Sequence, residues 1–255
     1  MELMRRKICY IFVCLLSLCS CAHEHTDITD LFSHVDKMVN VSKDTRVFWN
    51  MRLSPPSPWV DAHTIGELEQ LLKEGKNPNQ PMEGDRLERL PIDALEWAPV
   101  NADKSQLSSR LAAIHLLLKY GSSPQRMSLQ FGTSEEEYAL FIKHGLKATA
   151  PIVYGSNPQE IQYPLTRRTD FITYPVAKWL LEHGADPNQR SISSGNQRPE
   201  NSITPLINIH SKRPALYAEA TENMRLYRTE ERVERVHNLL IEMGAKAELG
   251  HQNQR

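Results

Sequence analysis

Four thiols, at Cys9, Cys14, Cys19 and Cys21, are the strongest nucleophiles in this 255-residue chain, and all of them fall within the first 21 positions. A disulfide framework, thiol catalysis and a cysteine-based zinc site are therefore excluded from the remainder. Other reactive groupings are sparse. His23-Glu24-His25 spaces two imidazoles for weak metal binding, but it reads as a solvated tether, and no metal site is assigned. There is no Gly-x-Ser-x-Gly elbow, phosphate-binding glycine loop, His-Glu-x-x-His or paired Cys-x-x-Cys. No spacing of serine, histidine and aspartate suggests a triad, so no catalytic residue and no cofactor is assigned and the expectation is not an enzyme. What remains is binding chemistry. Tyrosine and arginine are favoured contact anchors, and Tyr154, Tyr163, Arg167, Arg168, Arg190 and Arg198 lie in or beside long connecting segments. The Arg167-Arg168 pair reads either as an internal ion pair or plainly solvated side chains, or as a positive patch for an acidic partner, which would speed association more than it tightens binding.

The first segment sets the compartment. Arg5, Arg6 and Lys7 precede an apolar run of 11 residues, Ile8 to Leu18. As a helix it would rise about 16 Å against a hydrocarbon core of about 30 Å, so residues 1–20 read as a secretory signal rather than a membrane span. Leu18-Cys19-Ser20-Cys21 resembles a bacterial lipobox, with an aliphatic residue at −3 and a small one at −1; an ordinary signal peptide cut nearby is the other reading. The lipobox implies lipid on Cys21, each buried methylene contributing about 0.8 kcal/mol to anchoring. Ala22, in place of aspartate, resembles lipoproteins exported to the outer membrane, facing the periplasm. Cleavage there leaves 27 basic and 30 acidic groups, a net −3, too mild to suggest nucleic acid as a ligand.

Helices must position the anchors. Five segments share an ending of two apolar residues, two more residues and glycine: Leu71-Leu72 with Gly75, Leu117-Leu118 with Gly121, Phe141-Ile142 with Gly145, Leu180-Leu181 with Gly184, and Leu240-Ile241 with Gly244. Glycine suits the left-handed residue that terminates a helix. Thr64-x-x-Glu67 and Ser134-x-x-Glu137 read as capping boxes opening two of these helices. Leu90-Pro91-Ile92-Asp93, Tyr163-Pro164-Leu165-Thr166 and Thr204-Pro205-Leu206-Ile207 place proline at a first helical position. His144 and His183 each precede a terminal glycine, where a cation would favour the helix dipole.

Pro164 stands 20 residues before Gly184, and Gly184-Ala185-Asp186-Pro187-Asn188 follows the helix. In this the chain resembles ankyrin repeats, with their threonine-proline-leucine-histidine opening and glycine-alanine-x-x-asparagine turn. Gly75-Lys76-Asn77-Pro78-Asn79 repeats the turn with one substitution. The glycines are 46, 24, 39 and 60 residues apart rather than the family's 33. Asp93, Thr166 and Ile207 stand where the family has histidine, which puts that residue's bonds between repeats in doubt. The resemblance implies an all-α fold: an irregular ankyrin-repeat solenoid of helix-turn-helix units with long hairpin loops. The array covers 61–249, with a lipidated tether and N-terminal cap at 21–60 and a tail at 250–255. Within that cap Phe32, Val35, Met38 and Val39 have helical spacing, and Val47, Phe48, Trp49 and Trp59 are expected to cover the apolar side of the first repeat. Val233, Val236, Leu239, Leu240 and Met243 are expected to face inward on a closing helix.

A lipobox joined to irregular repeats and no visible active site resembles the immunity lipoproteins that protect against type VI secreted lipases. That resemblance implies a secreted effector, a phospholipase, as protein partner, and membrane contact through Cys21. The alternative is an envelope structural or assembly lipoprotein with several weak protein partners.

Overall fold

A computed structural model of the chain describes residues 27–50, 57–85, 88–95, 104–126, 134–152, 161–167, 172–191, 204–205 and 230–246. Nine helices fall in this set: α1 (Ile28–Val39), α2 (Pro58–Asp61), α3 (Ile65–Lys73), α4 (Pro91–Ala94), α5 (Lys104–Lys119), α6 (Glu135–Lys143), α7 (Pro164–Arg167), α8 (Tyr174–Glu182) and α9 (Glu230–Glu242). Among the described residues extended backbone pairs only as isolated bridges, Arg46 with Thr64, Trp49 with Leu95 and Ile152 with Gln162, so the fold is all-α. No helix there is long and apolar enough to cross a membrane.

The five glycine-terminated segments end in the same way. At each, the glycine N–H donates to the carbonyl three residues back and the next N–H to the carbonyl five back, as in Gly184 to Leu181 (3.1 Å) and Ala185 to Leu180 (3.0 Å). This is the Schellman closure, which satisfies carbonyls a helix would otherwise leave open. It requires left-handed backbone, and the five glycines have φ of 89°, 98°, 92°, 90° and 90°. The openings are less uniform. Thr64 and Glu67 form a reciprocal capping box. Ser134 accepts from the Glu137 N–H, but the Glu137 carboxylate turns away to Arg110, so only half of the second expected box forms. Pro91 and Pro164 open α4 and α7; of the third expected opening only Thr204 and Pro205 are among the described residues.

Helices α3, α5, α6, α8 and α9 form a row in which each packs on the next; α4 packs on α5 and α7 on α8. The core runs along this row through Leu68, Leu111, Leu117, Leu140, Val176, Leu180 and Leu240, all fully buried. A buried ion pair joins two members. Arg110 Nε donates to Glu137 Oε1 at 2.5 Å and its Nη1 to the Leu95 carbonyl at 3.0 Å, with the two side chains 6% and 2% exposed.

Two expectations about the ends change. Helix α1 lies over α5 and α6 and touches α8, burying Leu31 and Val35. The segment after it is what lines the first glycine-ended helix: Val47 N–H donates to the His63 carbonyl, and Trp49 Nε1 to that of Ala62 at 2.8 Å. Phe48 points outward. At the other end Val236, Leu239 and Leu240 are buried against α8, whereas Met243, in the closing turn, is exposed. The turn needs the backbone there, not the side chain.

Candidate functional site

Four of the Schellman glycines, Gly75, Gly121, Gly145 and Gly184, lead into a tight turn, and after three of them, Gly75, Gly121 and Gly184, the turn prepares the next contact. Two residues beyond each of these three a polar side chain accepts from the N–H four beyond: Asn77 from Asn79 (2.9 Å), Ser123 from Gln125 (3.3 Å) and Asp186 from Asn188 (2.8 Å). That local bond holds the turn and aims the fourth side chain at the following turn.

The result is a ladder of carboxamides. Asn79 Nδ2 donates to the Gly121 carbonyl at 2.7 Å while its Oδ1 accepts from Ser123 N–H at 3.1 Å. Asn188 makes the same pair with the Gly244 carbonyl (3.0 Å) and Lys246 N–H (2.7 Å). Gln125, one methylene longer, reaches deeper: it accepts from Lys147 N–H at 3.0 Å and donates to the carbonyls of Lys147 and Ala150 at 3.3 and 2.8 Å. These rungs join turns 42, 22 and 58 residues apart in sequence. One rung is missing. Between the third and fourth turns the position holds Thr149, whose methyl lies close against Gly184. Beside it is a partly open cavity of about 50 Å³, lined by Ala148, Thr149, Tyr163, Leu165, Gly184, Ala185, Asp186 and Gln189.

The anchors expected from sequence divide around this notch. Tyr163 lines it, half-buried, with its N–H donating to Ser191 Oγ at 3.2 Å. Arg190 is exposed, one residue beyond Gln189. Arg167 closes α7, but its side chain, like Tyr154, Arg168, Arg198 and Cys21, lies outside the described residues. Sequence reasoning missed Thr149, Gly184 and Asp186 as a group. The signal was available: asparagine or glutamine stands four residues after Gly75, Gly121 and Gly184, and threonine after Gly145.

The histidine-position substitutions have distinct outcomes. Thr166 Oγ1 donates to the Gln189 carbonyl at 3.2 Å, so a threonine supplies a bond between neighbouring units. Asp93 is buried near Arg126 and Arg89, and burial pushes its carboxyl up to about 6 despite the two cations. His144 departs from the expected dipole cation. Its Nε2 meets His115 Nδ1 at 3.0 Å, and burial, His115 and Lys143 together hold its pKa below the ordinary imidazole value. Burial, Lys119 and Lys143 do the same to His115, against the pull of Asp36. His183 stacks on Trp179, ring centroids 3.9 Å apart, and its Nδ1 bonds the Trp179 carbonyl. No group of three or more metal-ligating side chains converges among the described residues.

No family model, characterised protein or solved structure matches this chain.

Proposed function

We propose that the chain is an irregular ankyrin-type solenoid held by lipid on Cys21 at the bacterial outer membrane, where it binds and neutralises one secreted toxic enzyme, a phospholipase. The observation that carries this reading is the row of turns: five identical helix ends, three of the four junctions bridged by a carboxamide, with all five glycines exposed. Stacked units of this kind build an extended surface whose stability is shared between neighbours. Surface of that type suits recognition of a folded protein, and fold alone does not assign the partner. The tether supports the reading too. The chain from Cys21 joins the body through α1, which packs on α5, α6 and α8 and leaves the exposed turns clear. Anchoring raises the local concentration of an inhibitor at the membrane that a lipase attacks, without any new contact.

The test is affinity capture from a secretion-competent lysate, followed by mass spectrometry and an activity assay of the complex. One stoichiometric lipase, inactive when bound, is the expected outcome; recovery of envelope-assembly proteins instead would favour the structural alternative. With the partner in hand, the double change Arg167→Glu and Arg168→Glu is expected to weaken binding about tenfold or more by reversing the patch. An unchanged dissociation constant would remove that pair from the interface.

A further inference from the structure

We infer that the notch between the third and fourth turns is a receptor for a carboxamide: it takes the side chain of an asparagine or glutamine presented by the protein partner. The argument starts from the ladder's own chemistry. At the fourth-to-fifth junction, Asn188 satisfies the Gly244 carbonyl and the N–H two residues further on, at Lys246. The Gly184 carbonyl and the Asp186 N–H are the same two groups one junction earlier, and neither has a hydrogen-bond partner among the described residues. The turn that presents them is closed identically. Gly184 N–H goes to Leu181, Ala185 N–H to Leu180, and Asp186 Oδ1 accepts from Asn188 N–H. A donor and an acceptor therefore face outward at the spacing that a planar amide bridges, as it does at Gly121 and Ser123.

Space and surroundings agree with that ligand. Thr149 is too short to span the gap, and the cavity of about 50 Å³ beside it has room for one amide head or a few waters. Ala148, Leu165 and Ala185 provide apolar walls, and Tyr163 and Gln189 provide polar edges. A carboxylate would meet the Gly184 carbonyl with no proton to give it, and an ammonium would meet the Asp186 N–H with no acceptor. Only a group carrying both functions matches both backbone atoms. The inference rests on the protein-binding reading for where the amide comes from, but the notch's preference for an amide is testable without a partner.

The probe is N-acetyl-asparagine methylamide, titrated into isotope-labelled full-length protein purified in detergent, reading the backbone amide resonance of Asp186. N-acetyl-leucine methylamide, equal in shape but lacking the side-chain amide, is the control. The expected result is a saturable shift with the asparagine probe at about millimolar concentration, the range open to so small a ligand, and none with the leucine probe. Thr149→Asn supplies the rung internally, so this variant is expected to lose the response. Equal shifts from both probes, or no shift from either, would overturn the amide receptor with no variant needed. Once a partner is captured, Thr149→Asn is expected to weaken its binding about tenfold, the equivalent of one good hydrogen-bonded contact. A probe that binds while the partner ignores Thr149→Asn would overturn the assigned source of the amide. Failure to capture any partner would sink the protein-binding reading while leaving the probe result intact.

Discussion

A single substitution decides how two equivalent positions behave. Thr166 gives its hydroxyl proton to the Gln189 carbonyl, five residues past Gly184. Asp93, at the matching place in its own segment, sits near Arg126, five residues past Gly121, and a carboxylate has no proton to give. Its folded pKa, about 6, lies above the unfolded 3.8. The folded state thus disfavours the charged form. The contribution is fully present below the unfolded pKa and is lost as pH rises through about 6. That decline is worth about 3 kcal/mol at most. Asp93→Asn has nothing to ionise, so it is expected to match the parent near pH 4 and to exceed it in stability at pH 7.5. Urea unfolding at the two pH values measures the difference; an unchanged gap between parent and variant would contradict it. The sequence told that histidine was absent here, but not that burial would leave the replacement half-titrated in mild acid.

At the scale of elements, the helix ends were legible because glycine with left-handed backbone is a local requirement, written in five places. The surfaces of α5 and α6 were not. Leu111 to Ile114 and Leu116 to Leu118 are buried on every side of α5, and Glu136 to Ile142 on every side of α6. A helix covered all round has no polar stripe to read; what covers these two is α1, from another part of the chain. The same burial enforces the ion pair between them. Arg110→Ala would strand the Glu137 carboxylate in the core and is expected to cost about 3–5 kcal/mol, whereas Arg110→Met with Glu137→Leu should recover most of that loss. Chemical denaturation of the two variants separates a charge effect from a packing effect. The ladder contributes less per rung, since its bonds are exposed. Asn79→Ala and Asn188→Ala are each expected to lower stability by about 1–2 kcal/mol. Thr149→Ala, which removes no rung, should cost less than either, and equal losses at all three sites would show that the amides do not couple the turns.

For the whole molecule, α1 is the element that turns a row into a packed body. Leu31 and Val35 are fully buried against the row, Asp36 pairs with Lys143, and Lys143 also lies over the Phe32 ring at 5.8 Å. His34 stands 4.0 Å from Glu136. Leu31→Ala is expected to destabilise the protein by about 2–5 kcal/mol, as for other large-to-small core changes. Calorimetry should show the loss as one cooperative shift if α1 and the row unfold together, and as a separate early transition if they do not.

Its place also fixes how the molecule bears a mechanical load. Any tension arriving from the N-terminal side enters at Asp27 and reaches α1 before it reaches a single turn of the row. Helix α1 packs on α5, α6 and α8, so a pull must work its contacts loose while the glycine ends and their amide rungs stay unstrained. In a single-molecule experiment that pulls the N-terminal side against an attachment within the row, the first rupture should therefore release only the length of α1, and the row should hold to higher force.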